Sequence, residues 1–208
     1  MTAATSAYIA PRLGGFSARL ALAVRRQIFR RTMQRFRPQA DWPVLDVGVT
    51  SDRTADSNFF EALYPHPERI TAVGLEDAAF LEELYPGLRF VRADGKQLPF
   101  ASAAFKLAFC SAVIEHVGDR AQQLQLLVEL LRVAESCVIT TPNRWFPLEF
   151  HTLTPLLHWL PPRWFRAWLR WRGERFFADE AHLNLLGAVD LLQLAHQAVE
   201  QSGRRDSI

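Results

Sequence analysis

The chain has 208 residues, of which 49% are hydrophobic and 22% charged, and its formal net charge is +2. That length accommodates one domain with a substantial core. The composition excludes a disordered or fibrous chain, and the near-neutral balance carries no global signature of a nucleic-acid binder.

Taken in order, residues 1–41 read as a lead-in followed by a helix over 16–36. The lead-in lacks the apolar stretch of a signal peptide. In the helix Leu20, Val24 and Ile28 form an i, i+4 ridge, while Arg25, Arg26, Arg30, Arg31 and Arg35 crowd the other faces. A solvated basic face is the plainer reading of these arginines, and contact with an anionic surface or ligand is the other. Arg37-Pro38 ends the helix.

Residues 42–143 alternate between strands and helices. Val44-Leu45-Asp46-Val47 is an apolar run that includes an acid and breaks at Gly48, and a helix follows over 58–64. A strand feeding a helix through a polar turn puts backbone N–H groups at the carboxyl edge of a sheet, where α/β proteins bind nucleotides. Gly48 permits positive φ and close approach of a ligand to the backbone. Further strands are expected over 70–75, closing on Glu76-Asp77, over 88–92, meeting Asp94-Gly95, and over 105–110 and 136–141. Helices are expected over 80–84 and 122–133. This alternation predicts an α/β fold with a doubly wound, mostly parallel sheet and flanking helices. Cys110 and Cys137 lie in apolar runs with no His or Cys partner at ligand spacing. Neither a disulfide framework nor a metal site is therefore expected, and a reducing, cytoplasmic setting is.

Five segments of this core resemble, in order and spacing, class I S-adenosylmethionine-dependent methyltransferases, nearest the small-molecule subgroup called type 11. They are Val44-Leu45-Asp46-Val47-Gly48; Asp94-Gly95 with Leu98-Pro99-Phe100; Ser111-Ala112-Val113-Ile114-Glu115-His116-Val117; Glu129-Leu130-Leu131-Arg132-Val133; and Thr140-Thr141-Pro142-Asn143. The resemblance implies a Rossmann-like sheet with S-adenosylmethionine lying over the ends of its first strands. It implies that Asp46, Gly48 and the turn through Thr50 hold the methionine part. It further implies that an acid closing the second strand binds the ribose, that Asp94 and Gly95 border the adenine, and that Ser111 to His116 line the methyl-transfer centre. The chain departs from the family's pattern at four places. Thr50 and Asp52 stand where two further glycines are usual, and Lys106 replaces an acid. Gly74 stands where the ribose acid is usual, with Glu76 two residues on as its substitute. The family's last two edge strands find no sequence here, so an open sheet edge is expected.

The sulfonium donor carries its own activated methyl group, so the protein's main task is to align acceptor, methyl and sulfur. A base is needed only where the acceptor loses a proton. His116 is the nearest candidate and His151 a second; the alternative for His116 is a histidine bonded to backbone. Glu115 reads as an anchor of its local turn, and Asp94 has the alternative of capping the turn after it.

Residues 144–186 form an aromatic arm. Five of the six tryptophans fall here, at Trp145, Trp159, Trp164, Trp168 and Trp171, together with Pro147, Pro155, Pro161 and Pro162. Pro161-Pro162 can open a helix. On it Trp164, Phe165, Trp168, Leu169 and Trp171 project to one side and Arg163, Arg166 and Arg170 to the other. Three roles suit that pattern: a surface helix buried against its own sheet, a lid over the cofactor cleft, and peripheral membrane contact. The arm leaves the fifth strand at the carboxyl edge, beside the expected cleft. Arg144, Trp145, Phe146, His151 and His158 are therefore the candidate contacts for a small-molecule acceptor, hydrophobic or glycosyl in kind. Residues 187–208 supply a last helix and a tail. The alternative to an enzyme is a degenerate, non-catalytic member of the fold that serves as a binding or scaffold module.

Overall fold

All four residues of β1 (Val44–Val47) are buried, as a strand covered on both faces requires. The structure, a computed structural model, describes residues 16–54 and 57–204. The lead-in over 1–15 and the last four residues of the tail lie outside the described residues. Around β1 the chain runs α1 (Phe16–Phe36), β1, α2 (Phe59–Leu63), β2 (Ile70–Gly74), α3 (Phe80–Leu84), β3 (Arg89–Arg92), β4 (Phe105–Ser111), α4 (Arg120–Val133) and β5 (Ala134–Thr140). The arm then carries β6 (Leu148–Glu149), β7 (Thr154–Pro155) and α5 (Pro162–Arg172), and α6 (Ala188–Ser202) follows.

The five long strands are all parallel, in the order β3-β2-β1-β4-β5. This is the Rossmann-like, doubly wound sheet expected. Its order reverses between β1 and β4, which makes their carboxyl ends the switch point where such sheets bind ligands. β6 and β7 form a separate antiparallel pair within the arm.

Alternation along the strands divides the core between the two faces. Leu45, Val47, Ala108 and Cys110 pack with Leu126, Leu127 and Leu130 of α4 and with Leu194 and Ala198 of α6. Val44, Ile70, Ala72, Leu107 and Phe109 pack with Phe59 and Phe60 of α2 and Leu81 of α3. The Phe60 ring stacks on Phe109 at 4.5 Å, and Phe29 of α1 meets it edge-on at 5.8 Å. The packed side of α1 is Ile28, Phe29, Met33 and Phe36. Of the ridge expected from Leu20, Val24 and Ile28, Ile28 packs inward and Val24 is 47% exposed, while the Leu20 side chain lies outside the described residues. The aromatic partner on α2 lies opposite the second half of the helix and draws that half inward.

Helix α4 starts at Arg120, two residues earlier than the apolar pattern suggests, because Asp119 caps it. The Asp119 carboxylate accepts the Gln122 N–H at 2.9 Å, and the Gln122 side chain accepts the Asp119 N–H at 3.1 Å. Helix α5 does not use the sheet as its floor. Phe165 and Leu169 are buried with Phe177, Ala178 and Leu183, a small core internal to the arm. Trp164 and Trp171, projected onto the apolar side, face outward instead. The buried stripe runs through Phe165, Trp168 and Leu169, and the two outer tryptophans are rotated off it toward the arginines.

Candidate active site

The carboxyl edge is built around two glycines with no room for a side chain. Gly48 has φ +115°, and a Cβ there would stand 2.1 Å from Val113 Cγ2. The Gly48 and Val49 N–H groups both donate to Val73 O, which folds the chain back over β2. At Gly74 a Cβ would lie 2.4 Å from Val49 O, so the position where the family's ribose acid was sought cannot carry one. The acid at this edge is Glu76, whose Oε2 accepts from the Ser51 hydroxyl at 2.6 Å and from the Ser51 N–H at 3.4 Å.

Side chains, not glycines, shape the loop after Gly48. Neither Thr50 nor Asp52 takes positive φ, so glycine is not required at either place. Asn58 Oδ1 accepts the Thr50 N–H at 3.0 Å, and its Nδ2 donates to the carbonyls of Thr50 and Asp52. Asp52 Oδ2 accepts from the hydroxyls of Thr54 and Ser57, each at 2.7 Å. Asp94 caps its turn by accepting the Lys96 N–H at 2.9 Å and pairs with Lys96 Nζ at 3.3 Å. Beside it Gly95 packs closely, since a Cβ there would be 3.0 Å or less from Val47 and Leu126. Lys106 opens β4 at the far, amino end, where it pairs with Glu135, so its departure from the family's pattern does not reach this edge.

Sequence reasoning passed over a buried acid pair beneath the edge. Asp46 and Glu61 are both buried against the same face of the sheet. Neither Glu61 carboxylate oxygen has a hydrogen-bond partner among the described residues. Burial first, and then the charge of Glu61, push the Asp46 carboxyl well above the usual range, and burial raises Glu61 as well. Two acids so close share a proton more readily than both ionise. A signal existed: Glu61 is the one charged residue in the run Phe59-Phe60-Glu61-Ala62-Leu63.

The segment after β4 brings the histidines in. Ser111 Oγ and Thr140 Oγ1 share a hydrogen bond at 2.8 Å across β4 and β5. Ala112 then takes φ +56°, a strained value for a residue with a Cβ, held by its N–H to Thr140 O. That kink lays Val113 over Gly48 and starts a short 3-10 turn at Ile114–His116. Glu115 is fully buried: Oε2 accepts the Thr141 hydroxyl at 2.9 Å, while Oε1 has no hydrogen-bond partner among the described residues. His116 Nδ1 donates to His182 O at 2.7 Å. Because a carbonyl only accepts, the proton sits on Nδ1, and Nε2 is the acceptor. Burial lowers the His116 pKa against the opposing charge of Glu115, which favours the neutral ring.

His151 comes from the arm, and its ring meets that of His116 edge-on at 4.7 Å. Its Nδ1 donates to Glu149 Oε1 at 2.6 Å. Glu149 also accepts the Thr152 N–H and hydroxyl. Burial would raise the Glu149 pKa, but these bonds and the His151 charge outweigh it and hold the carboxyl at about 2. Burial would likewise lower His151, and the Glu149 hydrogen bond and charge raise it instead.

The five candidate acceptor contacts therefore do not form one wall. His151 joins His116. Arg144 and His158 border a crevice with Pro162, Phe165, Arg166 and Asn184. There Arg144 donates to Leu160 O, His158 Nε2 donates to Phe146 O at 2.7 Å, and Arg144 Nε and His158 Nδ1 lack partners among the described residues. Trp145 and Phe146 are on the outer surface, the former against Gly187 and the latter stacked on Phe150. Asn184, which sequence reasoning did not single out, locks the arm to this edge: its N–H donates to Glu115 O at 2.7 Å and its Nδ2 to Gly118 O.

Residues 45–137 match the family model described as a methyltransferase domain, type 11. No curated protein matches the chain. Among solved structures, the YcgJ protein from Bacillus subtilis superposes with a TM-score of 0.56 at 14% identity, over 83% of this chain and 68% of that one. An S-adenosylmethionine-dependent methyltransferase from Mesorhizobium loti does so with a TM-score of 0.55 at 14% identity, over 82% and 80%. Phosphoethanolamine N-methyltransferase 2 of Haemonchus contortus, solved with S-adenosyl-L-methionine, gives 0.52 at 16% identity, over 89% of this chain and 37% of that one. The motif-bearing strands, their order around β1 and the match over 45–137 together make the core similar to class I, type 11 S-adenosylmethionine-dependent methyltransferase domains.

Proposed function

We propose that the chain transfers a methyl group from S-adenosylmethionine to a small, hydrophobic or glycosyl acceptor held between the core and the arm. The observation that carries this reading is the contact of Val113 with Gly48, which sets the His116 segment directly beside the turn that ends β1. The residues at that turn suit the donor. Glu76 offers a carboxylate to a ribose diol and Asp94 an acceptor at the end of β3, with the Asp46–Glu61 pair buried beneath the turn. When bound, the donor supplies the activated methyl group. His116, with its Nε2 as acceptor, is suited to take a proton from an acceptor hydroxyl, and Ser111 and Thr140 steady the strand ends below it. The arm's aromatic surfaces are suited to exclude water and hold a ring. A cytoplasmic setting belongs to the same reading; among the described residues no helix is long and apolar enough to cross a membrane.

Isothermal titration with S-adenosylmethionine tests the donor half, and production of its demethylated product with phenolic, isoprenoid and glycoside acceptors tests the other. Binding in the micromolar range is expected, and no heat at millimolar donor rejects the proposal.

One observation favours a non-catalytic scaffold instead: the Glu76 carboxylate and the Thr50 N–H are already engaged by the chain's own Ser51 and Asn58. A Thr50→Gly/Asp52→Gly variant separates the two. Donor binding that appears only in the double variant makes the native chain a scaffold, and binding by the native chain ends that reading.

A further inference from the structure

We infer that Glu115, His116 and His151 form a site for one borderline divalent cation of the zinc or iron(II) kind. One ligand atom from each residue lies within 4.8 Å of the other two, although the three come from a turn of the core and a loop of the arm. His116 Nε2 and Glu115 Oε1 are 4.0 Å apart, too far for a hydrogen bond and near enough to share an ion after a small closure.

Two further observations point to a cation. The first is Glu115 Oε1 itself, a carboxylate oxygen with no hydrogen-bond partner among the described residues, on a side chain wholly removed from solvent. A buried carboxylate oxygen with no hydrogen-bond donor and a histidine nitrogen only at 4.0 Å is costly unless a cation meets it more closely. The second is that the opposite atom of every ligand is already fixed. His116 Nδ1 is held by His182 O, His151 Nδ1 by Glu149 Oε1, and Glu115 Oε2 by the Thr141 hydroxyl. Outer bonds of this kind set ring orientation and tautomer and leave Nε2 as the donor to a metal, and a carboxylate behind a histidine raises its basicity. Two imidazoles and one carboxylate suit zinc, iron(II), cobalt(II) or nickel(II) better than magnesium or calcium, which prefer all-oxygen sets. Three protein ligands leave coordination positions open. His116 is the most exposed of the three, at 12% of its side chain against 7% for His151 and none for Glu115. Binding itself is independent of methyl transfer. With a cation bound His116 Nε2 is a ligand and no longer the base, and an open position takes the acceptor oxygen and eases its deprotonation instead, a role that rests on the methyltransferase reading.

The test uses the full chain, stripped with chelator and checked for folding by circular dichroism, without donor. Titration with Co2+ is expected to saturate at one equivalent with visible absorption bands, Zn2+ to displace them, and the thermal midpoint to rise. His151→Ala is expected to weaken Co2+ binding by about a hundredfold or more, and Glu149→Gln, which alters only the support behind the ligand, by roughly 10–100-fold. The heat of S-adenosylmethionine binding in His151→Ala should stay at the wild-type value. A folded wild-type chain with neither cobalt bands nor a zinc-induced shift overturns the site, as does equal affinity in wild type, His151→Ala and Glu115→Gln. Should a variant fail to fold, the wild-type titration decides alone. Absence of donor binding alongside one equivalent of bound metal would reject the methyltransferase reading and keep the site.

Discussion

Val113 Cγ2 fills the space that a Cβ on Gly48 would need, at 2.1 Å, so one side chain after β4 fixes the residue that ends β1. Gly48→Ala faces two penalties, the overlap and a φ of +115°, and only the first is relieved by trimming the neighbour. The single variant should lose about 2–3 kcal/mol, seen as a fall of roughly 4–12 °C in thermal midpoint. Gly48→Ala/Val113→Ala should recover part of the difference relative to Val113→Ala alone. Wild-type stability in Gly48→Ala contradicts this account.

The Asp46–Glu61 pair predicts a pH dependence of stability. Both carboxyls are raised in the folded state, chiefly by burial. The folded chain therefore binds protons more tightly than the unfolded one, and stability falls as pH rises from the ordinary carboxylate range through the raised values. Glu61→Gln removes one charge and offers an amide donor to Asp46. It should be more stable than wild type by about 1–2 kcal/mol at pH 8 and should lose that advantage near pH 4. Thermal melts of both proteins across this range check it, and a gain independent of pH counts against a shared proton.

The Glu149–His151 pair behaves in the opposite sense at each end. Glu149, held at about 2, contributes stability above the ordinary carboxylate range that is lost as pH falls toward that value. His151, raised by Glu149 after burial has been overcome, contributes below the ordinary imidazole range and loses its share as pH rises through its folded value. Protection against hydrogen exchange, relative to the unfolded chain at the same pH, should be greatest in mildly acidic solution for residues 148–158 of the metal-free chain. Glu149→Gln should lower it by an amount corresponding to about 3 kcal/mol. Uniform protection from pH 4 to 9 in the wild type would show that the pair does not hold the arm.

Trp145 is exposed at the root of the arm and lies against Gly187 at the start of α6. If the arm holds the acceptor, Trp145→Ala should lower turnover about tenfold, equivalent to roughly 1.4 kcal/mol, and leave donor affinity nearly unchanged. Unchanged turnover rejects the lid.

The outer face of α5 offers a rival use of the arm. Trp164 and Trp171 are 59% and 83% exposed, beside the exposed arginines Arg163 and Arg170, whereas Arg166 pairs with Glu180 at 3.2 Å. Co-sedimentation with anionic vesicles should be salt-sensitive and should weaken in Arg163→Ala/Arg170→Ala, each charge contributing about 1 kcal/mol near such a surface. No binding at low salt dismisses a membrane role for this face.

The sheet was legible because β1, β2, β4 and β5 are apolar runs closed by turn residues, and such runs read as strands whatever surrounds them. The acids at the edge followed from their places at strand ends. The arm was less legible. A helical projection gives the angle between Trp164 and Leu169 but not which side meets the protein, and that side was decided by Phe177 and Leu183, which lie beyond the end of the helix. Nor does any spacing announce that His116 and His151 meet, because a kink at Ala112 and a turn around Glu149 set their positions. Glu61 shows the reverse case: its signal, a lone charge in an apolar helix, was present in the sequence and its partner lies one element earlier.

The arm leaves the core and returns to it at almost the same point. Asn143 and Leu186 form a bridge, and the Arg144 N–H donates to Leu186 O at 2.9 Å. An insertion whose two ends are clasped together imposes little on what lies between, since closing a longer or shorter loop changes the entropy only logarithmically. The stretch between the clasp and His182 can thus lengthen or shorten at little cost in closure entropy, whereas His182 and Asn184, bonded to His116 and Glu115, stay with the clasp and the donor half.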